Sequence, residues 1–266
     1  MLTLRKTALA ILNFQCSLAL AGAMGDVNVM PAHQVYLGLE GGYSISTQTH
    51  LQPVYTYPRS TRLVFISPVN SDWTRDIGST GLGGAFLGYQ WNPNVSFQFS
   101  YDYRKGYDWN IPAAEEPSIT DTIYDRYEGG DITIQTFLFD LILKPNVDWG
   151  GFIPYIKGGI GAAHNKITGI QNIGIPIFGA PLTVNLLVDG NSSTNFAWDA
   201  GVGANYTFDH FGVGLGYRFV DAGKLKTSST VTDAITGLRT TISPLEAKHI
   251  FLHELTASIF YSFDFI

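Results

Sequence analysis

From Leu255 to Phe265 the chain alternates. Leu255, Ala257, Ile259, Tyr261, Phe263 and Phe265 are apolar or aromatic, and Glu254, Thr256, Ser258, Ser262 and Asp264 are polar, with Phe260 the exception. A period of two predicts a β-strand with one oily and one wet face. Seven earlier segments carry the same character. They are Gln34–Ser44, Thr80–Trp91, Val95–Lys105, Asp131–Lys144, Ile153–Ala163, Asn195–Tyr206 and Phe211–Val220. The third is the cleanest, setting Val95, Phe97, Phe99, Tyr101 and Tyr103 against Ser96, Gln98, Ser100, Asp102 and Arg104. In the second, Phe86 and Leu87 are adjacent, so both cannot share one face without a bulge.

The connections alternate in length. Asn92-Pro93-Asn94, Pro145–Phe152 and Thr207–His210 are short and rich in turn formers. Ile45–Ser79, Gly106–Gly130, His164–Thr194 and Asp221–His249 are long, which an ordinary compact domain seldom tolerates. Each segment is near the roughly 9–11 residues that a tilted strand needs to cross a bilayer. Short turns on one side and long loops on the other fit an eight-stranded antiparallel up-and-down transmembrane β-barrel with four long extracellular loops. The even count of strands predicts both mature termini on the turn side.

Composition supports a membrane barrel. The 266 residues are 45% hydrophobic but only 14% charged, with 14% aromatic residues and 29 glycines. An average soluble chain carries about 25% charged residues. Beyond the N-terminus no run of about 18 apolar residues predicts a transmembrane helix. At the N-terminus, Arg5 and Lys6 precede an apolar run from Ala8 to Ala21, with small-residue cleavage sites at Ala19–Ala21 and Ala21–Ala23. Residues 1–23 therefore read as a secretory signal and 24–266 as one barrel domain, with no second module after it. The single cysteine, Cys16, lies within the signal, which leaves no disulfide and no cysteine metal site in the mature chain. Losing Arg5 and Lys6 takes the formal charge from −6 to about −8, which argues against nucleic acid as a partner.

The segments GLGGAFLGYQW and PYIKGGIGAA, the signal region and the aromatic last strand together resemble the opacity-protein-like and OmpA-transmembrane-like group of small outer-membrane barrels. The resemblance covers essentially the whole mature chain. It implies the outer membrane of a Gram-negative bacterium, a monomer, and outer-membrane lipid and lipopolysaccharide as surroundings. It also implies that the barrel-assembly machinery reads the last strand. Members of the group usually end on an aromatic residue, whereas here Ile266 follows Phe265.

The wet faces carry Glu40, Asp102, Arg104, Asp140, Lys157, Asp199, Arg218 and Glu254. An eight-stranded barrel is just wide enough for side chains to fill it, and charges inside must be paired. Centring the sixth-to-seventh turn between Phe208 and Asp209 sets Asp199 opposite Arg218. Centring the fourth-to-fifth turn near Asp148 sets Asp140 opposite Lys157. Both are expected cross-strand ion pairs of a closed polar plug. A narrow pore is the other reading of this interior. Tyr206, Phe211, Tyr261, Phe263 and Phe265 fall at the turn end of the last three strands, where an interfacial aromatic girdle belongs. A soluble ligand-binding barrel gives no reason for such a ring.

The loops differ in chemistry. The second holds Asp108, Glu115, Glu116, Asp121, Asp125, Glu128 and Asp131 against Arg126 alone. It is either a site for divalent cations or a basic surface, or a solvated, self-repelling loop. The third carries no charge from Ile167 to Val188. Its Ile170, Ile173, Ile175, Ile177, Phe178, Leu182 and Leu186 form either a contact surface for a host or extracellular ligand, or an extension of the strands packed over the barrel mouth. The first mixes Tyr55, Tyr57, Phe65 and Trp73 with Arg59, Arg62 and Arg75, a composition suited both to binding surfaces and to lipid headgroups. Neither a GxSxG elbow nor an HExxH pair is present, and His253 and Ser258 fall on opposite faces of the last strand. No enzyme, no cofactor and no metal site is expected. The sequence points to a structural, adhesive or surface-interacting barrel, with a conduit for small hydrophobic molecules as the alternative.

Overall fold

The computed structural model describes residues 33–47, 51–52, 77–108, 124–145, 151–175, 183–234, 236–241, 244 and 246–264. The signal region, Phe265 and the aromatic and arginine residues of the first loop lie outside them. Eight strands close into one antiparallel barrel. They are β1 (Gln34–Thr47), β2 (Ser79–Asn92), β3 (Val95–Asp108), β4 (Asp131–Leu143), β5 (Phe152–Ile167), β6 (Asn191–Phe208), β7 (Phe211–Asp221) and β8 (Phe251–Asp264). Each pairs with its successor, and β8 closes on β1 from Gln34↔Asp264 to Thr47↔Phe251. The wall thus closes on itself with no edge strand, as a bilayer demands.

The alternation sorts side chains as the sequence predicts. Leu37, Leu39, Phe99, Phe139, Ile160, Phe196, Leu215, Leu255 and Ile259 form the exposed outer band. Phe86 and Leu87 need no bulge, because Phe86 turns inward while Leu87 stays outside. The one break in β3 falls between Lys105 and Tyr107, where Gly106 takes φ +98° and the register slips by one residue.

Two hairpin registers differ from the sequence expectation. Asp199 pairs with Val220 and Gly201 with Arg218, because the β6–β7 turn centres on Asp209-His210 rather than one residue earlier. Asp209 adopts φ +52°, a left-handed conformation that a short polar side chain tolerates. Likewise Asp140 pairs with Gly159 and Ile142 with Lys157. Each hairpin slips by two positions, so every side chain keeps its face while its cross-strand partner changes.

The interior is layered, not polar throughout as expected. At the turn end Tyr36, Phe86 and Phe260 form a buried aromatic group, with ring centroids 6.2 Å (Tyr36–Phe86) and 5.9 Å (Tyr36–Phe260) apart. The ionic residues fill the middle. Toward the loop end Ile132, Ile134, Leu138, Val220 and Leu252 belong to a continuous apolar core. Glycines make room for the rings: a β-carbon at Gly88 would overlap Tyr36, and one at Gly212 would overlap Phe260. Gly212→Val is therefore expected to cost about 1–3 kcal/mol by overpacking. Gly83→Val, whose β-carbon would meet open space outside, should change little. Urea unfolding of both variants in lipid vesicles checks the contrast.

The long loops are not structureless. Arg239–Thr241, Thr230–Asp233, Thr183–Val188, Ile170–Ile175 and Tyr124–Gly129 pair in that order into a second, five-stranded sheet. A smaller three-stranded sheet joins Leu225–Lys226, Glu246–Ala247 and Leu51–Gln52. Hydrogen bonds from Gly130 N to Gly169 O and from Asp189 N to Thr230 O tie the larger sheet to the barrel rim. Three loops distant in sequence thus converge on one surface.

Candidate functional site

The mid-barrel layer is built by inward positions of seven strands. Arg104 of β3 donates through Nε to Glu254 Oε1 and through Nη2 to Glu254 Oε2 at 2.9 Å, a bidentate contact. Its Nη1 donates to Thr136 Oγ1 at 3.0 Å. Arg218 of β7 spans three carboxylates: Nε to Glu254, Nη1 to Glu40 at 2.9 Å, and Nη2 to Asp102 at 2.8 Å. Beside this group Lys157 Nζ lies 3.3 Å from Asp140 Oδ2 and 2.9 Å from Asp199 Oδ2. The packing is tight, since a β-carbon on Gly159 would overlap the carboxylates of both aspartates.

All eight ionic residues named from the sequence meet in this layer; of the two expected couples Asp140–Lys157 forms and Asp199–Arg218 does not. Asp140 contacts Lys157 diagonally rather than directly opposite. Asp199 contacts Lys157, whereas Arg218 turns to Glu40, Asp102 and Glu254. The two-position slip explains the exchange, for it brings Gly159 and Gly201 opposite Asp140 and Arg218 and frees both long cations to reach across the lumen. The layer also recruits residues that charge alone did not flag. Ser44 Oγ donates to Glu254 at 2.8 Å, Tyr107 OH to Ser44, and Ser100 Oγ to Asp140 at 3.1 Å. Their signal was parity: Ser44 and Ser100 are polar at inward positions. Just past the turn end of β4, Lys144 packs against Gln90, and burial pushes its ammonium down to about 8.

Asp102, Arg104, Asp140 and Glu254 are all 0% exposed. Below them lies a cavity of about 40 Å³ bordered by Tyr36, Gln98, Lys157, Arg218 and Phe260, room for a few waters at most.

Outside, the turn-end aromatics form a chain. Ring centroids lie 5.1 Å apart for Phe152–Tyr206, 6.3 Å for Phe208–Phe211, 5.0 Å for Phe211–Tyr261 and 4.9 Å for Tyr261–Phe263. Tyr206, Phe211, Tyr261 and Phe263 thus share one continuous outer strip. Of the third loop, Ile170 is buried with Val188 in the apolar core, which corrects its expected place on a contact surface. It sits low on the hairpin, where the strands still feed the barrel. Ile173 pairs in register with Val184 and Arg126, Ile175 with Tyr124, and Leu186 with Asn172 and Asp233. Ile177, Phe178 and Leu182 lie outside the described residues. Asp125 and Glu128 of the acidic loop lie on the sheet's edge strand, while Glu115, Glu116 and Asp121 are not described.

His253 of β8 and His249, two residues before the strand begins, lie on the outer side. His253 Nδ1 lies 2.5 Å from Tyr217 OH, and His249 Nδ1 lies 2.9 Å from Asp221 Oδ2 while stacking on Phe251. Ser258 lines the interior, pairing in register with Glu40 and Gly214. No group of three metal-ligating side chains occurs among the described residues.

A family model described as the outer membrane protein beta-barrel domain matches residues 16–237. The chain belongs to this family. It is an outer-membrane β-barrel of the kind found at the surface of Gram-negative bacteria, which places the exposed band in lipid. Outer membrane protein PagN of Salmonella typhimurium is 39% identical over 79 residues, covering 29% of this chain and 30% of PagN. The aligned part thus spans less than a third of that relative. Among solved structures, Neisserial surface protein A is similar with a TM-score of 0.46 at 12% identity, covering 86% of this chain and 97% of that one. OprG of Pseudomonas aeruginosa is similar with a TM-score of 0.44 at 11% identity, covering 88% and 99%.

Proposed function

We propose that this barrel is a surface-interaction protein whose working part is the loop sheet, the wall and lumen serving to hold that sheet rigidly outside the membrane. The observation that carries the reading is the convergence of three loops on five paired strands. Loops that only cover a barrel mouth have no need of such order, and ordering them costs conformational entropy that a preformed binding surface recovers on contact. The filled lumen supports the same reading. Four ionic side chains at mid-barrel are fully shielded from water, so the interior acts as a brace.

The test replaces residues 172–186 with Asn-Gly, which closes the hairpin between the paired Gln171 and Leu187 in a two-residue turn. Bacteria displaying the shortened protein are expected to lose most of their binding to host-cell and matrix surfaces, while the barrel keeps its heat-modifiable mobility on gels. Undiminished binding by a folded variant would sink the proposal.

A second reading is a conduit for small hydrophobic molecules, favoured by the apolar core at the loop end of the lumen. It requires an exit past the ionic layer. Absence of both planar-bilayer conductance and uptake of apolar solutes into vesicles would dismiss it.

A further inference from the structure

The outer face of β3 to β6 changes chemistry along one register row. On β5 the outward positions from Phe152 through Ile156 and Ile160 to Ala162 are apolar. Ten steps of about 3.4 Å along a strand tilted near 40–45° rise roughly 25 Å, the height of the apolar band of an outer-membrane barrel. The next outward row is polar: Tyr103, Gln135, His164 and Thr194 are register partners across the four strands. The row above it pairs Lys105 with Thr133, Thr133 with Lys166, and Lys166 with Ser192. Both lysines are exposed, and neither forms an ion pair among the described residues. They sit two strands apart, about 10 Å between Cα atoms, with a threonine hydroxyl between them. The opposite wall differs, placing Phe219, His253, Ile45 and Ser79 in one row and Asp221 and Phe251 above.

We propose that Lys105, Thr133 and Lys166 form a contact site for a phosphate group of lipopolysaccharide in the outer leaflet. A lysine on the lipid side of the wall, one step beyond the apolar band, stands at the depth of the headgroups, where anionic phosphates are its available partners. The two ammonium groups can close on one phosphate from either side, with the Thr133 hydroxyl donating between them. Asp131 stands two residues above Thr133 on the same face with Asp108 as its register partner on β3, so the site opens toward the membrane, on the side away from that acidic row. One side of the barrel would thus hold an ordered lipid, fixing the tilt and rotation of the loop sheet above.

The experiment uses the full refolded protein in detergent micelles. Lipopolysaccharide, the same material chemically dephosphorylated, and inorganic phosphate are the probes. Lys105→Gln/Lys166→Gln is expected to weaken lipopolysaccharide binding by roughly tenfold, with the heat-modifiable band unchanged. Lys224→Gln/Lys248→Gln, two lysines off this row, should leave it unaltered. Equal binding of the dephosphorylated lipid would overturn the proposal. So would an equal loss from the off-row pair, which marks a diffuse charge effect, or displacement by millimolar inorganic phosphate, which marks a site for the free anion.

Discussion

Arg218→Met is expected to destabilise the barrel by about 3–5 kcal/mol, the range for breaking a buried ionic network from one side. Arg218 touches Glu40, Asp102 and Glu254. Its removal leaves Arg104 to serve Glu254 and Asp102, while Glu40 keeps no cation within contact. Methionine fills most of the volume but supplies no donor. Arg218→Lys should rescue only part of the loss, since an ammonium cannot make three directed contacts at once. Glu40→Gln added to Arg218→Met should recover stability, because it neutralises the stranded carboxylate. The midpoint of urea unfolding from lipid vesicles measures all three variants. An Arg218→Met protein as stable as the wild type would mean that water reaches this layer.

The barrel was legible because each strand carries its own record. The alternation of Val95–Tyr103 or Leu255–Phe263 fixes which face is oily, and parity survives errors of register. Partner identity is less robust. A turn centre misplaced by one residue exchanged Arg218 for Lys157 as the partner of Asp199, and the cause was a single left-handed residue, Asp209. The inward aromatics hid for a related reason. Phe260 stands as the exception on a wet-face position and Phe86 beside Leu87 has no assigned face; the glycines across from them, Gly38 and Gly212, reveal the space they occupy. The loop sheet was not legible at all. Its strands come from segments up to about a hundred residues apart, and pairing at that range leaves no local periodicity. The uncharged run from Ile167 to Val188 announced something apolar, but not that its first residues would anchor in the core.

Ile160→Arg is expected to cost about 2 kcal/mol, the low end of the midplane range for a cation on the lipid face, because Ile160 lies inside the apolar band but above its middle. Ile160 lies on β5 with 61% of its surface exposed, flanked in register by Phe139 and Trp198. No inward rearrangement can hide the guanidinium, because the interior behind it is filled by Gly159, Asp140 and Asp199. Four residues further along the same face, His164→Arg should cost roughly 0–1 kcal/mol, since its row borders the headgroups. The pair measures depth directly: same strand, same face, same substituent, one turn of the pleat apart twice over. Folding free energies of the two variants in vesicles should therefore differ by about 1 kcal/mol or more. Equal costs would place the apolar band elsewhere on the wall and would remove with it the headgroup level assigned to Lys105 and Lys166.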